Sequence, residues 1–219
     1  MKKVVIAGAT GMIGGLILDA CLSSDNINEV ISLVRKKSKR NHKKLFEVSI
    51  DDFTDYSNQT ALFENVDAAF FCIGVYTGQV SKEDFITITV DYAIAFAKAL
   101  KLKSPDANLC LLSGSGADRT ETSKTDFAKY KGIAENKISA LGLNFYSFRP
   151  AYIYPVSPRQ EPNLMYQIIR KLYPLIRLFG DRFSIKSTQL ASAMFKAAMN
   201  GTNKEILENQ DIIKISEKS

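Results

Sequence analysis

Histidine and cysteine are scarce in this chain of 219 residues, and their positions exclude several kinds of site. His42 is the single histidine and lies in a basic loop, so neither a Ser-His-Asp set nor a metal cluster can be built around it. Cys21, Cys72 and Cys110 are far apart in apolar runs and lack the CxxC spacing of zinc and redox motifs. We therefore expect no metal site, three reduced and buried thiols, and a cytoplasmic protein.

Apolar runs of membrane length are absent as well. The apolar stretch after Lys3 is interrupted by glycines and closed by Asp19, too soon to span a bilayer, so we expect no membrane partner. Hydrophobic residues make up 46% and charged residues 24% of the chain, a balance that excludes a disordered protein and a disulfide scaffold. The length predicts one domain over residues 1–219, to which residues 151–219 contribute a substrate-side cap.

Acidic residues are missing from residues 35–44, a segment that holds seven lysines and arginines. The whole chain has 29 Lys and Arg against 23 Asp and Glu, so this segment alone accounts for the basic balance. No aromatic residues are interleaved with these cations to stack on bases. Nucleic acid is therefore not the expected partner, and we interpret Lys39–Lys44 as a solvated loop.

Apolar runs typical of strands alternate with helical spacings along the chain. The predicted strands are Lys3–Ala7, Glu29–Val34, Lys44–Ile50, Val66–Ile73, Asn108–Ser113 and Leu143–Phe148, with a last short strand within Glu205–Ile215. The predicted helices are Ile13–Ser23, Asp84–Leu102, a segment capped by Ser123 that runs to Leu141, Asn163–Leu178 and Thr188–Met199. This alternation predicts a doubly wound parallel sheet, a three-layer α/β/α Rossmann fold with a small C-terminal helical cap.

A glycine-rich turn lies where the first predicted strand becomes a helix. Gly8 allows a tight turn, Gly11 lets the backbone approach a pyrophosphate, and Gly14 lets helix and strand pack closely. The free N–H groups at the start of the helix attract an anion. We therefore predict a dinucleotide-binding turn made of Gly8, Thr10, Gly11, Met12, Ile13 and Gly14.

An acidic residue is also missing at the end of the second predicted strand, where NAD-specific proteins place one to bind the ribose 2′-hydroxyl. Arg35 and Lys36 stand there instead. A guanidinium can hold a 2′-phosphate through paired, charge-assisted hydrogen bonds, and a lysine adds point charge. The sequence therefore favours NADP over NAD as the cofactor.

Two more turns are expected to contact this cofactor. Asp52 and Phe53 follow the third predicted strand and are expected beside the adenine, although a buried core position suits Phe53 nearly as well. Ile73 and Gly74 follow the fourth strand, where the chain passes the nicotinamide ribose in this fold. A glycine at that point lets the cofactor approach the backbone.

The later segments resemble a known family. They are Leu111-Leu112-Ser113-Gly114-Ser115-Gly116-Ala117-Asp118, Lys131-Gly132, Phe148-Arg149-Pro150 and Leu207-Glu208-Asn209. With the glycine turn they resemble an atypical short-chain dehydrogenase/reductase, most similar to the HIV Tat-interactive oxidoreductase-like family. The resemblance covers essentially the whole chain and implies an NAD(P)-dependent oxidoreductase fold.

The resemblance also implies roles for individual residues. A serine positions the substrate carbonyl, a tyrosine exchanges the proton, and a lysine one helical turn later lowers the pKa of the tyrosine and binds the nicotinamide ribose. Lys131 matches the lysine and Ser115 the serine, while Ser113 either shares that role or caps the turn. Pro150 is implied to lie beside the nicotinamide.

The tyrosine is missing from its expected place. Phe127 stands four residues before Lys131, at the place of the tyrosine. Tyr130 directly precedes Lys131, so it is turned about 100° from the lysine around the helix and cannot point the same way. A register with Tyr130 as the proton donor would require a lysine at Ala134. Tyr152 or Tyr154 is left open as a substitute donor.

Two functions follow from these residues. The first is an NADP-dependent oxidoreductase that acts on a small carbonyl or sugar-like substrate, with an incomplete Ser-Tyr-Lys set. The second is a non-catalytic NADP(H)-binding sensor that acts through a regulatory protein partner. The sequence leaves a homodimer open.

Overall fold

Residues 1–156 and 183–218 are described by a computed structural model. The strands are β1 (Lys2–Ala7), β2 (Ile27–Val34), β3 (Leu45–Ser49), β4 (Ala68–Phe71), β5 (Asn108–Leu112), β6 (Asn144–Arg149), β7 (Tyr152–Tyr154), β8 (Ser184–Lys186) and β9 (Ile206–Glu208). The α-helices are α1 (Met12–Ser23), α2 (Lys82–Ile86), α3 (Tyr92–Lys103), α4 (Asp126–Ser139), α5 (Ser187–Asn200) and α6 (Asn209–Glu217). A 3₁₀-helix spans Ser57–Phe63, and a π-turn at Thr87–Asp91 joins α2 to α3.

Seven strands form one parallel sheet in the order β3-β2-β1-β4-β5-β6-β9, and β7 pairs with β8 in a separate small sheet. Alternate side chains of the central strands enter opposite hydrophobic cores. Ile6 and Phe70 pack beneath α1 and α5, whereas Val5 and Phe71 pack beneath α3. Because both faces are covered, these strands are apolar at almost every position. The predicted three-layer Rossmann fold is confirmed.

Several details differ from the sequence predictions. The helix predicted over Asp84–Leu102 is divided by the π-turn. The cap predicted at Ser123 is wrong, because the N-cap residue of α4 is Thr125; the Ser123 amide instead donates to the Asp118 carboxylate, within the preceding loop. The short strand predicted within Glu205–Ile215 is confirmed as β9, but helix α6, which begins directly after it, was not predicted.

The C-terminal part belongs to the main layers. Helix α5 packs on α1, and β9 lies at one edge of the large sheet. The helix predicted over Asn163–Leu178 lies outside the described residues, and the substrate-side cap stays a prediction. No helix in the described parts of the chain is long and apolar enough to cross a bilayer.

The order of the strands creates a crevice. The chain runs outward from β1 to β2 and β3 on one side, and from β4 to β5 and β6 on the other. The connections therefore diverge at the carboxyl ends of β1 and β4. This reversal is where doubly wound sheets bind their ligands.

Candidate functional site

Two adjoining cavities open at the carboxyl ends of β1 and β4. The larger has a volume of about 520 Å³ and the smaller about 280 Å³. Both are lined by Gly11, Cys72, Ile73, Gly74 and Val75. They therefore form one crevice with two chambers. Its size and shape suit an extended ligand together with a second, smaller ligand.

The glycine turn forms the rim between the chambers. Gly8 has φ +92°, and a Cβ there would lie 2.7 Å from the backbone carbon of Cys72. A Cβ on Gly14 would lie 2.2 Å from the Gly8 oxygen, so this glycine lets α1 pack on the turn. Gly14 is absent from both cavity walls, whereas Gly8 and Thr10 line the smaller chamber and Met12 and Ile13 the larger.

This rim is suited to an anion. Gly11 is the N-cap of α1, and no acidic side chain stands in the first turn of the helix. The N–H groups of the first turn and the positive end of the helix dipole therefore face the crevice without a competing carboxylate. A side chain at Gly8 or Gly14 would collide with the backbone that forms this turn, so glycine at both positions lets the start of α1 lie at the crevice, where its N–H groups suit a diphosphate.

The smaller chamber combines a cation with aromatic rings. Arg35 and Phe53 are in its wall, and the Phe53 ring lies 5.5 Å from the Tyr92 ring. Lys36 is exposed and outside the wall. Asp52 is exposed beside the chamber, and its carboxylate accepts hydrogen bonds from the hydroxyl and the amide of Thr54, which lower its pKa.

Sequence analysis missed several residues of this chamber, two of them in the helical segment after β4. Ile88 and Tyr92 line it, four residues apart across the π-turn. A π-turn changes the helical register and frequently lies at functional sites. Periodicity alone predicts one continuous helix here, so it does not show this change of register.

The larger chamber contains the residues that the family resemblance singled out. Lys131, Ser113, Phe127 and Pro150 all line it. Ser115 does not; it is exposed, and its amide donates to the Pro150 carbonyl at 2.9 Å. Of the two candidate serines, the structure therefore brings Ser113 next to Lys131 and leaves Ser115 at the surface.

A buried carboxylate behind the larger chamber organises this region. Glu135 has a fully buried side chain and accepts hydrogen bonds from four side chains. The donors are Ser113 (2.6 Å), Ser147 (2.7 Å), Arg119 (3.1 Å) and Arg149, which binds both carboxylate oxygens. Burial raises the pKa of Glu135, but hydrogen bonds from Arg149, Ser113 and Ser147 outweigh it and lower the pKa below its ordinary value.

Glu135 was not predicted from the sequence. The available signal was its position four residues after Lys131, which places both on one face of α4. Its partners come from strand β6 and from the segments that follow β5, so only the tertiary structure brings them together.

Lys131 is a buried cation in the wall of the larger chamber. Its Nζ donates to the Leu112 carbonyl at 3.2 Å. Burial lowers the pKa of Lys131 to about 8, and the negative charge of Glu135 opposes this decrease. The lysine therefore changes its protonation state close to neutral pH.

Phe127 fills the space next to Lys131 where the family pattern has a phenol. A Cβ on Gly114 would lie 2.5 Å from Phe127 Cζ and 3.3 and 3.5 Å from its Cε atoms. That position lies nearly on the long axis of the ring, beyond Cζ, which is also the direction of a tyrosine hydroxyl. Gly114 and Phe127 therefore fit each other as an apolar pair.

The other tyrosines are placed differently. Tyr130 points to α2, where its ring lies 6.4 Å from the Phe85 ring and 5.9 Å from Lys82 Nζ. Tyr152 lines the larger chamber, but Tyr154 lines neither chamber. Of the two substitutes that the sequence left open, Tyr152 is thus the one at the site.

We expect Phe127→Tyr to destabilise the protein rather than complete the catalytic set. The added hydroxyl would point into the Gly114 backbone, and overpacking of this kind costs about 1–3 kcal/mol. Urea unfolding of the variant measures the loss, with Tyr130→Phe as the control because that ring lies away from the chamber. A variant of wild-type stability with strongly raised reductase activity would contradict this view of the Gly114–Phe127 pair.

The segments Gly116-Ala117-Asp118 and Lys131-Gly132 are in direct contact. The Asp118 amide donates to the Ala128 carbonyl at 2.8 Å, and a Cβ on Gly132 would lie 1.8 Å from the Asp118 oxygen. Gly132 thus allows α4 to lie against the loop after β5. This contact helps to place Lys131 in the chamber wall.

The described residues contain no group of three histidine, cysteine or acidic side chains able to hold a metal ion. The cysteines of the described chain are free; Cys21 and Cys110 are buried, whereas Cys72 is half-buried at the crevice. Two of the three residues are therefore buried as expected, and the thiol of Cys72 is also shielded from water although the residue is partly exposed at the crevice.

Several solved structures share this architecture. Gre2 from Candida albicans, in complex with NADPH, is 14% identical, with a TM-score of 0.74 over 95% of this chain and 78% of that chain. A UDP-N-acetylglucosamine 4-epimerase from Methanobrevibacter ruminantium, in complex with UDP-N-acetylmuramic acid, is 20% identical, with a TM-score of 0.71 over 94% and 76%. The UDP-N-acetylglucosamine 4-epimerase from Bacillus cereus is 15% identical, with a TM-score of 0.70 over 98% and 84%. At these identities the likeness shows the fold alone.

The sequence matches a protein family over the part of the chain that forms the crevice. No curated protein sequence matches the chain. The narrower resemblance to the HIV Tat-interactive oxidoreductase-like family stays a prediction. A family described as NAD(P)H-binding matches residues 8–200, which include the glycine turn, both chambers and Lys131. The chain therefore belongs to this NAD(P)H-binding family.

Proposed function

We propose that the protein binds NADP(H) and reduces a small carbonyl or sugar-like substrate. The observation that carries this proposal is the two-chambered crevice, with Arg35 in the wall of one chamber and Lys131 in the wall of the other. The glycine turn between them fits a diphosphate, so a dinucleotide could place its two halves in the two chambers.

Each part of the crevice has a role in this proposal. The backbone of the Gly8–Gly14 turn would bind the diphosphate, and Arg35 the 2′-phosphate. Phe53 and Tyr92 would form the apolar wall beside the adenine, and Lys131 and Pro150 would lie at the nicotinamide end. When bound, the cofactor supplies a hydride.

The larger chamber also limits the class of substrate. Most of its lining is apolar, including Met12, Ile13, Val75, Ile153 and Pro155, and its described walls carry no carboxylate. A small, uncharged or weakly polar carbonyl compound suits such a chamber better than a cationic one.

Calorimetric titration with NADPH and NADH tests the proposed cofactor. We expect both to bind, with NADPH binding more tightly. Consumption of NADPH, followed at its nicotinamide absorbance with a panel of aldehydes, ketones and keto-sugars, then tests the reaction. Absence of binding by both dinucleotides at millimolar concentration would overturn the proposal.

Arg35→Ala is expected to weaken NADPH about tenfold or more and to leave NADH nearly unchanged. The reason is that a hydrogen bond to a charged group contributes about 1.5–3 kcal/mol, and only NADPH carries the 2′-phosphate. Calorimetry on both dinucleotides measures the effect. Lys39→Ala is the control, because Lys39 is an exposed cation of the same loop outside the chamber wall. An equal loss for NADPH and NADH would contradict the role of Arg35.

The Gly114–Phe127 pair favours a second candidate function, a non-catalytic NADP(H) sensor that acts through a protein partner. This pair leaves the place of the usual proton donor apolar. The two functions differ in one measurement, because the sensor would bind NADPH without consuming it in the presence of any carbonyl of the panel.

A further inference from the structure

Few groups in the wall of the larger chamber can release a proton to a substrate. Phe127 has no hydroxyl, and the Ser113 hydroxyl already donates to Glu135 at 2.6 Å, away from the chamber. Burial raises the pKa of the Cys72 thiol to about 12, so this thiol holds its proton at neutral pH. Lys131 and the phenols of Tyr76 and Tyr152 remain among the lining residues.

Lys131 differs from the two tyrosines in its surroundings. Its Nζ makes one hydrogen bond among the described residues, to the Leu112 carbonyl, although an ammonium has three N–H groups. No carboxylate of the described chain lies within ion-pair distance of this nitrogen, because Glu135 is occupied by Arg119 and Arg149. The ammonium therefore retains N–H bonds to give at the chamber wall.

The charged and titratable groups around Nζ come from several elements. They are Glu135 on the same helix with Arg119 and Arg149 as its partners, Cys72 after β4, and Tyr76 and Tyr152 in the chamber wall. Glu135 lies one helical turn from Lys131 and stabilises the ammonium, whereas burial favours the neutral amine. These opposing effects keep both protonation states accessible near neutral pH, which a proton donor requires.

We infer that Lys131 Nζ, rather than a tyrosine, is the proton donor of this site. The inference rests on the proposed function and names its catalytic residue. In the reduction of a carbonyl compound, the carbon receives a hydride that the bound NADPH supplies. The carbonyl oxygen takes the proton from Lys131, whose N–H bond breaks as the O–H bond of the alcohol forms. Lys131 is left as a neutral amine, and solvent water returns its proton.

The first test needs no turnover. In protein with ¹³C-labelled lysine, the Cε signal of Lys131 is identified by its absence from Lys131→Met and its presence in Lys137→Met, an exposed lysine of the same helix. We expect this signal to titrate with a midpoint near pH 8. A signal that shows no change below pH 10 overturns the inference, whether or not the protein binds NADPH.

The second test uses Lys131→Arg, which keeps a cation in the chamber but does not release a proton at these pH values. With the best carbonyl of the panel, we expect kcat/KM of the wild type to fall as pH rises through about 8, because the protonated lysine is the donor. We expect Lys131→Arg to lower kcat by about 10²–10⁴-fold and to lose this inflection, while its Kd for NADPH changes less than tenfold.

The remaining variants separate the alternatives. If Tyr152→Phe or Tyr76→Phe abolishes turnover and Lys131→Arg retains both kcat and the inflection, a phenol is the donor and the inference is wrong. If NADPH binds but no carbonyl of the panel is reduced, the cofactor assignment stands and the inference fails. If neither dinucleotide binds, the proposed function itself fails, which is a different result from either of these.

Discussion

Replacing Glu135 by leucine is expected to lower the free energy of unfolding by about 3–5 kcal/mol. The carboxylate is fully buried and accepts hydrogen bonds from Arg119, Arg149, Ser113 and Ser147. Leucine would leave two guanidinium groups without their buried partner and two hydroxyls without their acceptor, and each loss is costly in the interior. Urea unfolding at neutral pH, followed by circular dichroism, measures the change.

Glu205→Leu is the matched control for this prediction. Glu205 also pairs with Arg119, at 2.5 Å, but its side chain is 40% exposed, so water can replace the interaction. We expect a loss of about 1 kcal/mol or less for this variant. Equal losses for the two variants would show that the buried carboxylate is not the centre of the network.

The same carboxylate predicts how stability depends on pH. The pKa of Glu135 is lower in the folded protein than in the unfolded chain. As pH falls, the unfolded state takes up the proton first. The stabilising contribution of the Glu135 carboxylate is therefore complete above the pKa of the unfolded chain and is lost as pH falls through the pKa of the folded protein. The difference in stability between wild type and Glu135→Leu should therefore decrease as pH falls into the acid range, where the wild-type carboxylate becomes protonated.

Gly132→Ala is expected to destabilise the protein by about 3 kcal/mol, at the upper end of the usual cost of overpacking. The new Cβ would lie 1.8 Å from the Asp118 oxygen and 2.2 Å from its carbonyl carbon. Both are backbone atoms. The Asp118 amide donates a hydrogen bond to the Ala128 carbonyl of α4, so the loop cannot simply rotate away. Helix α4 would have to move, and Lys131 with it. Thermal and urea unfolding measure the loss.

Gly15→Ala is the control for the general effect of alanine in a helix. A Cβ on Gly15 would lie 3.4 Å from the Ala9 oxygen, an ordinary contact, so we expect a neutral or slightly stabilising change. The two substitutions are chemically identical and differ in the neighbouring backbone. If Gly132→Ala were also neutral, the close approach of α4 to the Asp118 loop would not matter for stability.

The fold could be predicted because its signals are local. Strands covered on both faces are apolar along their length, so the runs containing Val4–Ala7 and Ala68–Phe71 are visible in the sequence. The glycine turn is visible because Gly8, Gly11 and Gly14 lie close together in the sequence, although the backbone that Gly8 approaches, at Cys72, follows β4 and is distant in the chain. The boundary between α2 and α3 was missed, because a π-turn leaves the apolar spacing nearly unchanged.

The site was only partly visible. The family resemblance matched Ser115 to the substrate-positioning serine, but Ser113 lines the chamber and Ser115 is exposed. Phe127 was recognised as a departure from the family pattern, yet its fit against Gly114 depends on how α4 lies across the end of β5.

The sequence by itself determined the order of strands and helices along the chain, the glycine turn after β1 and the absence of a tyrosine at position 127. Each of these is a pattern of residues that lie close together in the chain. The tertiary structure alone decided which serine faces Lys131, that Ile88 and Tyr92 line the smaller chamber, and that Glu135 gathers two arginines and two serines. Those residues are distant in the chain. Their contacts arise from the packing of α4 against the ends of β5 and β6. Because water is excluded there, the hydrogen bonds of the buried Glu135 carboxylate have to come from protein donors.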